Sequence, residues 1–183
     1  MADSVRGVAR RNQKQASAFY YCYHGRDKDE AVPFLMWTLS QLCRASGVIP
    51  ASLKELYDSG CDPASSQLLE CLAAVLTQLT AAYVVVDAVD ESNPRKNLIK
   101  LLAHLGTDPK YRNLRLAATS REYSDIEDAF KGRATTVSMS NPGLRKDIQT
   151  YIESTLKEPE YRSWPDPLRK TVIDHMTVRA RGM

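Results

Sequence analysis

Paired cysteines and zinc-binding spacings are missing from this sequence. Its four cysteines stand at positions 22, 43, 61 and 71, with no CxxC pair and no Cys/His set of zinc-site spacing. Zinc modules of those patterns are therefore excluded. Cys22 and Cys43 lie within apolar patterns, so we expect buried, reduced thiols, which fit a cytosolic protein.

Long apolar runs and a strong charge of one sign are also missing. No apolar segment approaches the ~20 residues that span a bilayer, and residues 1–15 are too polar for a signal peptide. The formal net charge is +3 and the basic residues are spread out, which gives no indication of nucleic-acid binding. The sequence thus predicts a cytoplasmic protein that binds neither membranes nor nucleic acid. Its 183 residues are the usual length of one domain and are enough to form a hydrophobic core.

Glycine is scarce where phosphate binding would use it. None of the eight glycines is followed by lysine, so the chain contains no GxxxxGKS or GxxxxGKT loop. Such a loop wraps phosphates with backbone N–H groups, and its lysine neutralises their charge. The sequence therefore lacks this phosphate-binding element.

Stretches of strand type alternate with stretches of helical type. Segments rich in β-branched and aromatic residues predict strands over 16–24, 83–88, 114–121 and 134–140. Apolar residues at helical spacing, together with capping signals, predict helices over 3–14, 33–43, 51–58, 68–79, 98–105, 144–156 and 167–180. Asn141 and Pro142 are typical of a helix start. The alternation predicts an α/β fold, a three-layer sandwich on a mostly parallel sheet.

Three carboxylates follow the most apolar predicted strand. Asp87 ends it, and Asp90 and Glu91 come within four residues. Ligands of parallel sheets bind at the carboxyl ends of strands, where one acid would hold Mg²⁺ through oxygen and a later acid would orient a water against a phosphoryl group. The alternative is that Asp90 or Ser92 caps a helix starting near Pro94.

Arg121 follows the next predicted strand, in the sequence LRLAATSRE. By itself such an arginine is more often a surface residue. Placed one helix and one strand after the acids, it would reach a γ-phosphate from the neighbouring strand. This arrangement makes Arg121 a candidate phosphate sensor.

Four stretches together resemble one family: ASAFYYCYHGRD, AYVVVDAVDES, LRLAATSRE and VSMSNPGLRKDIQTYIESTL. They are similar to the NACHT nucleotide-binding module of STAND-type P-loop NTPases, in particular the fungal group with nephrocystin-like N-terminal modules. The resemblance implies that Asp87 contacts Mg²⁺, that Asp90 and Glu91 are catalytic and position the attacking water, and that Arg121 binds the nucleotide as a sensor. The cofactors of the intact family would be Mg²⁺ and ATP or GTP.

The resemblance also implies an incomplete module. Residues 2–14 resemble the helix that follows the family's phosphate loop, so the first strand and that loop are expected to be missing. Residues 1–140 would form a partial nucleotide-binding core, and residues 141–183 would begin a helical subdomain. We expect no tightly bound Mg²⁺ or nucleotide, no ATP turnover by this chain, and poor stability or self-association through exposed strand edges.

Three functions remain open on the sequence. The first is an interaction or scaffold part of a signal-transduction protein, in which the intact parent would be an ATP- or GTP-dependent switch and other protein domains would be the partners. The second is a Mg²⁺-dependent phosphoesterase or nuclease, to which Glu122 and Asp125 would add carboxylates. The third is a structural α/β domain without a site.

Overall fold

Three parallel strands organise the first part of the chain. The computed structural model describes residues 15–138 and 142–179. Its strands are β1 (Gln15–Tyr21), β2 (Ala81–Asp87) and β3 (Leu114–Ala118), in the spatial order β1-β2-β3. In this register Ala18 pairs with Val84, and Val84 with Leu116. The strands therefore end at one edge of the sheet, as the sequence predicts.

Helices connect and follow these strands. Those of the described residues are α1 (Ala31–Ser46), α2 (Ala51–Asp58), α3 (Ser65–Thr77), α4 (Lys96–Thr107), α5 (Ser124–Phe130), α6 (Pro142–Thr155) and α7 (Asp166–Arg179). Short 3-10 helices lie at His24–Arg26, Val89–Glu91, Pro109–Tyr111 and Pro159–Tyr161. A three-stranded parallel sheet flanked by helices is consistent with the predicted three-layer α/β sandwich.

The hydrophobic core lies between one face of the sheet and the helices that connect its strands. Because side chains alternate across a strand, every second residue of β1 and β2 points to this face. Buried leucines at helical spacing complete the core: Leu35, Leu39 and Leu42 from α1, Leu72 and Leu76 from α3, and Leu98 and Leu102 from α4. Gly47 ends α1 with a φ of 70°, which favours glycine, and its N–H donates to the Cys43 carbonyl at 2.9 Å.

The described residues divide into two compact units between Ala134 and Thr135. The first unit contains the sheet and helices α1 to α5. The second contains α6 and α7, which pack against each other. Ile152 and Leu156 of this helical unit are buried. No helix of the described residues combines the length and the apolar character that crossing a membrane requires.

One predicted strand is wrong over the residues that the structure describes. The prediction placed a strand over 134–140, but Thr135 to Val137 have no regular structure and Val137 is 77% exposed. β-branched residues favour strands only where a neighbouring strand and a packing surface are present. Positions 139–140, Asn141 and the helix predicted over 3–14 lie outside the described residues. The short polar helix α5 was not predicted.

The predicted burial of Cys22 and Cys43 is confirmed. Burial raises the pKa of the Cys22 thiol to about 12 and raises that of Cys43 as well. Since the thiolate is the reactive form, neither should react at neutral pH while the chain is folded. Cys71 is also buried, whereas Cys61 is exposed.

We therefore expect iodoacetamide at pH 8 to modify Cys61 alone in the folded protein. Mass spectrometry should show one adduct without denaturant and four in guanidinium chloride, one for each cysteine. The Cys61→Ser variant is the matched control and should remain unmodified until it unfolds. Rapid modification of Cys22 in native buffer would contradict the burial of this residue, which directly follows β1.

Candidate functional site

Thr119 joins the ends of β2 and β3. Its N–H donates to the Val86 carbonyl, and its own carbonyl accepts from the Val89 N–H, both at 2.9 Å. Its hydroxyl donates to Asp87 Oδ1 at 2.5 Å and accepts from the Ala88 N–H at 2.9 Å. The Asp87 carboxylate is thus held in place by the neighbouring strand end.

Asp90 lies on the turn that follows β2 and contacts Arg121. Its side chain is only 8% exposed. Oδ1 accepts the Arg121 backbone N–H at 3.1 Å, and Oδ2 lies 3.6 Å from Arg121 Nε. The Arg121 side chain is 66% exposed. The structure therefore brings together the predicted acid and the predicted sensor arginine as an ion pair.

Arg95 was not singled out by the sequence, yet it contacts both sides of the site. Its guanidinium binds the Asp125 carboxylate through two hydrogen bonds of 2.7 and 3.0 Å. Its Nη1 also donates to the Asp90 carbonyl at 3.2 Å, and its Cζ lies 4.5 Å from the centre of the Tyr123 ring. Arg121 and Arg95 therefore form ion pairs with different acids, and these pairs hold together the segments that follow β2 and β3.

The loop between β1 and α1 borders the same edge of the sheet. The Cys22 N–H donates to the Asp87 carbonyl at 3.0 Å. The Asn93 side-chain amide donates to Asp27 Oδ1 at 3.2 Å, and the Asn97 amide donates to Asp29 Oδ2 at 2.6 Å. These contacts fix the loop after β1 against the loop after β2 and the first turn of α4.

An open pocket of about 680 Å³ lies between these loops. Its lining comprises His24, Asp90, Glu91, Ser92, Asn93, Arg95, Arg121 and Tyr123. Three of the four predicted site residues belong to this lining, and Asp87 does not. Within the described residues the Ser92 hydroxyl is buried and has no hydrogen-bond partner. The pocket is polar and carries two carboxylates and two guanidinium groups.

Five lining residues were not among the predicted site residues: His24, Ser92, Asn93, Arg95 and Tyr123. His24, Asn93 and Tyr123 follow strand ends, and a rule that selects polar residues after strand ends would have found them. Arg95 was missed for a different reason. Its role depends on Asp125, which lies 30 residues further along the chain, and a single sequence gives no sign of such a pairing.

The capping alternative for the acids is wrong. Helix α4 begins at Lys96, and its cap position is Arg95, without a side-chain capping hydrogen bond. Asp90 instead binds Arg121, and Ser92 makes no side-chain hydrogen bond within the described part of the chain. The helix start therefore gives no structural reason for these acids.

Asp87 is the residue predicted to bind Mg²⁺. Mg²⁺ usually binds one or two carboxylates together with phosphates and several waters. Asp87 supplies one carboxylate, and that carboxylate accepts a hydrogen bond from Thr119. The described part of the chain holds no group of three or more His, Cys, Asp or Glu side chains arranged to bind a metal ion. Asp87 would therefore be one carboxylate ligand of a Mg²⁺ ion that arrives with phosphate.

The phosphoesterase or nuclease hypothesis involves two further acids, Glu122 and Asp125. In that hypothesis these residues would add carboxylates to the acids that follow β2. Asp125 is bound to Arg95, and neither residue lines the pocket. Arg95 also holds the pKa of Asp125 below its usual range, so this carboxylate stays ionised and paired.

Replacing Arg95 by alanine should loosen α5 from the loop after β2. The ion pair is half exposed, with side-chain exposures of 25% for Arg95 and 50% for Asp125. We therefore expect a loss of only about 1 kcal/mol of unfolding free energy, measured by urea denaturation. Because the pKa of Asp125 is lowered, the contribution is present above about pH 4 and is lost as the pH falls further.

The matched control is Lys110→Ala, which removes the surface ion pair with Glu70. That change should have no measurable effect, since exposed pairs of this kind are screened by solvent. Equal losses from Arg95→Ala and Lys110→Ala would show that Arg95 is an ordinary surface charge.

Comparison with known proteins agrees with part of the sequence resemblance. A family model described as Nephrocystin 3, N-terminal, matches residues 1–121. The match covers 121 of the 183 residues and includes every predicted site residue. No curated protein and no solved structure shows a significant match. The chain therefore belongs to the family of nephrocystin 3 N-terminal domains.

Proposed function

We propose that this chain is an interaction or scaffold part of a signalling protein and does not hydrolyse nucleotide by itself. Membership of the nephrocystin 3 N-terminal family supports the signalling role. The resemblance of AYVVVDAVDES and LRLAATSRE to NACHT modules supports a nucleotide-binding ancestry. Both are compatible with a chain that provides binding surfaces for other protein domains and does not hydrolyse nucleotide.

The observation that carries this proposal is the pairing of charges in the pocket. Asp90 is paired with Arg121 within the lining, and Arg95 is paired with Asp125, which lies outside the lining. The two carboxylates and two guanidinium groups of the lining sum to a net charge of zero. A nucleotide triphosphate carries several negative charges, so a neutral pocket without a glycine-rich loop offers it little net attraction.

Each predicted site residue has a place in this proposal. Asp87, bonded to Thr119, would add one oxygen to a Mg²⁺ ion that arrives with phosphate. Arg121 would contact a phosphoryl oxygen, Asp90 would hold Arg121, and Glu91 would orient the attacking water. In an intact STAND protein these groups would serve an ATP- or GTP-dependent switch, with phosphates held by a loop that this sequence does not contain.

An ATP hydrolysis assay tests the proposal. The purified chain with Mg²⁺ and ATP should release phosphate at the rate of the buffer blank. The double variant with Asp90→Asn and Glu91→Gln should give the same rate. Mg²⁺-dependent release that the double variant abolishes would overturn the proposal and restore both acids as catalytic residues.

A further inference from the structure

Asp90 differs from Glu91 in every contact that the structure shows. Both line the pocket, but Asp90 directs its two carboxylate oxygens to one neighbour, Arg121, at 3.1 Å from the backbone nitrogen and 3.6 Å from Nε. Glu91 is partly exposed, and within the described residues its side chain makes no hydrogen bond or ion pair. The Asp90 carboxylate is bound to another residue of the protein, whereas the Glu91 carboxylate faces the pocket.

The contacts of the Asp90 carboxylate with Arg121 affect whether Asp90 could act as a general base. A general base needs an oxygen within hydrogen-bonding distance of the water that it deprotonates. Asp90 is 8% exposed, and its oxygens already contact the N–H and the guanidinium of Arg121. Its main-chain carbonyl accepts a further hydrogen bond from Arg95. Asp90 is thus positioned to hold the two arginine-bearing segments.

The same contact limits what Arg121 offers to a ligand. Its guanidinium is largely exposed and lies at the pocket, but its nearest counter-charge is the Asp90 carboxylate. An incoming anion would have to compete with this carboxylate and would also be repelled by it. A negative charge fixed beside the sensor arginine therefore lowers the affinity of the empty pocket for anions.

We infer that Asp90 is a positioning residue and an internal competitor for Arg121, rather than the acid that activates water. Its Oδ1 fixes the backbone of the loop after β3. Its carboxylate pairs with the Arg121 guanidinium until an anion that binds the guanidinium more tightly displaces it. The inference rests on the proposed function in one respect: it takes phosphoryl groups as the anions that the pocket would admit. The positioning role needs no ligand.

Hydrogen exchange of the Arg121 amide tests the positioning role without any ligand. Asp90→Ala removes the acceptor, and the Arg121 amide should exchange roughly fivefold faster or more, as expected for one lost hydrogen bond. Asp90→Asn retains an acceptor oxygen and should keep exchange near the wild-type rate. The Thr119 amide, bonded to the Val86 carbonyl, is the internal reference for opening of the whole sheet edge.

Titration with pyrophosphate tests the competition for Arg121. Asp90→Asn removes the competing charge and should raise pyrophosphate affinity about fivefold over the wild type, a size typical of partly exposed charges. Glu91→Gln is the matched control, because it removes an unpaired charge of the same pocket. It should raise the affinity less and leave the Arg121 amide unchanged.

Three results would overturn the inference. The first is an Arg121 amide that exchanges equally in the wild type and in Asp90→Ala. The second is pyrophosphate binding that Asp90→Asn weakens or leaves undetectable. The third is an equal gain from Asp90→Asn and Glu91→Gln. None of these results bears on ATP turnover by the wild type, so failure here is distinguishable from failure of the proposed function.

Discussion

Truncation of Phe34 to alanine is expected to lower the free energy of unfolding by about 3–5 kcal/mol, the range for a buried aromatic residue. Phe34 lies in the first turns of α1 and is 1% exposed. Its ring packs edge to face against Tyr20 of β1, with 5.5 Å between ring centres. The truncation would therefore leave a cavity where α1 meets the sheet.

Chemical denaturation followed by circular dichroism measures this loss. Tyr57→Ala is the control, since Tyr57 is 85% exposed on α2 and its truncation should change stability by less than ~0.5 kcal/mol. A loss below about 1 kcal/mol for Phe34→Ala would mean that α1 does not pack on β1 as described.

Replacing Glu30 by alanine is the second change for which we expect a large effect. Glu30 directly precedes α1 and is a carboxylate with only 1% exposure. It accepts from the Tyr23 N–H at 3.3 Å and from Arg26 Nη1 at 3.2 Å. Burial raises the pKa of Tyr20, and the nearby charge of Glu30 raises it further. Arg26 Nη1 also donates to the Tyr20 hydroxyl at 2.6 Å. Glu30 therefore joins the loop after β1 to the core.

The expected loss for Glu30→Ala is about 2–3 kcal/mol of unfolding free energy. It lies below the range for a fully buried ion pair because Arg26 is 45% exposed and regains water. Glu30→Gln keeps the size and an acceptor oxygen, so it should lose less than half as much.

Spectroscopic titration of the tyrosines gives a second measure of the same contact. Without Glu30 the pKa of Tyr20 should fall toward its usual value but stay above it, because burial remains. A pKa of Tyr20 that Glu30→Ala leaves unchanged would contradict the effect of the Glu30 charge on the Tyr20 hydroxyl.

The sequence predicts the first unit well because its elements obey simple periodic rules. The apolar run before Asp87 is a strand with a neighbouring strand on each side. Its apolar residues favour burial, so its place in the centre of the sheet follows from the sequence. Leu98 and Leu102 repeat at helical spacing and are buried in the core. Periodicity of this kind depends on neighbouring residues in the chain, which a single sequence contains.

The wrong strand shows where periodic rules end. Thr135, Thr136 and Val137 favour extended backbone, yet they form no strand. A strand requires a hydrogen-bonded partner, and the presence of that partner depends on how distant parts of the chain assemble. Local preference alone does not decide it.

The sequence did not predict the pairing of the candidate site residues. Asp90, Glu91 and Arg121, which the sequence places after strand ends, line one pocket in the structure. The sequence did not predict that Asp90 would hold the Arg121 backbone, since this depends on side-chain geometry across two strands. The roles of Asp87 in Mg²⁺ binding and of Arg121 in sensing phosphate remain predictions.

Equilibrium binding of a fluorescent ATP analogue tests the central claim most directly. The purified chain and Asp87→Asn would each be titrated with and without Mg²⁺. The account predicts no saturable binding below millimolar nucleotide and no difference between the two proteins. Micromolar, Mg²⁺-dependent binding that Asp87→Asn abolishes would contradict it, and would show that another element of this chain replaces the glycine-rich phosphate loop.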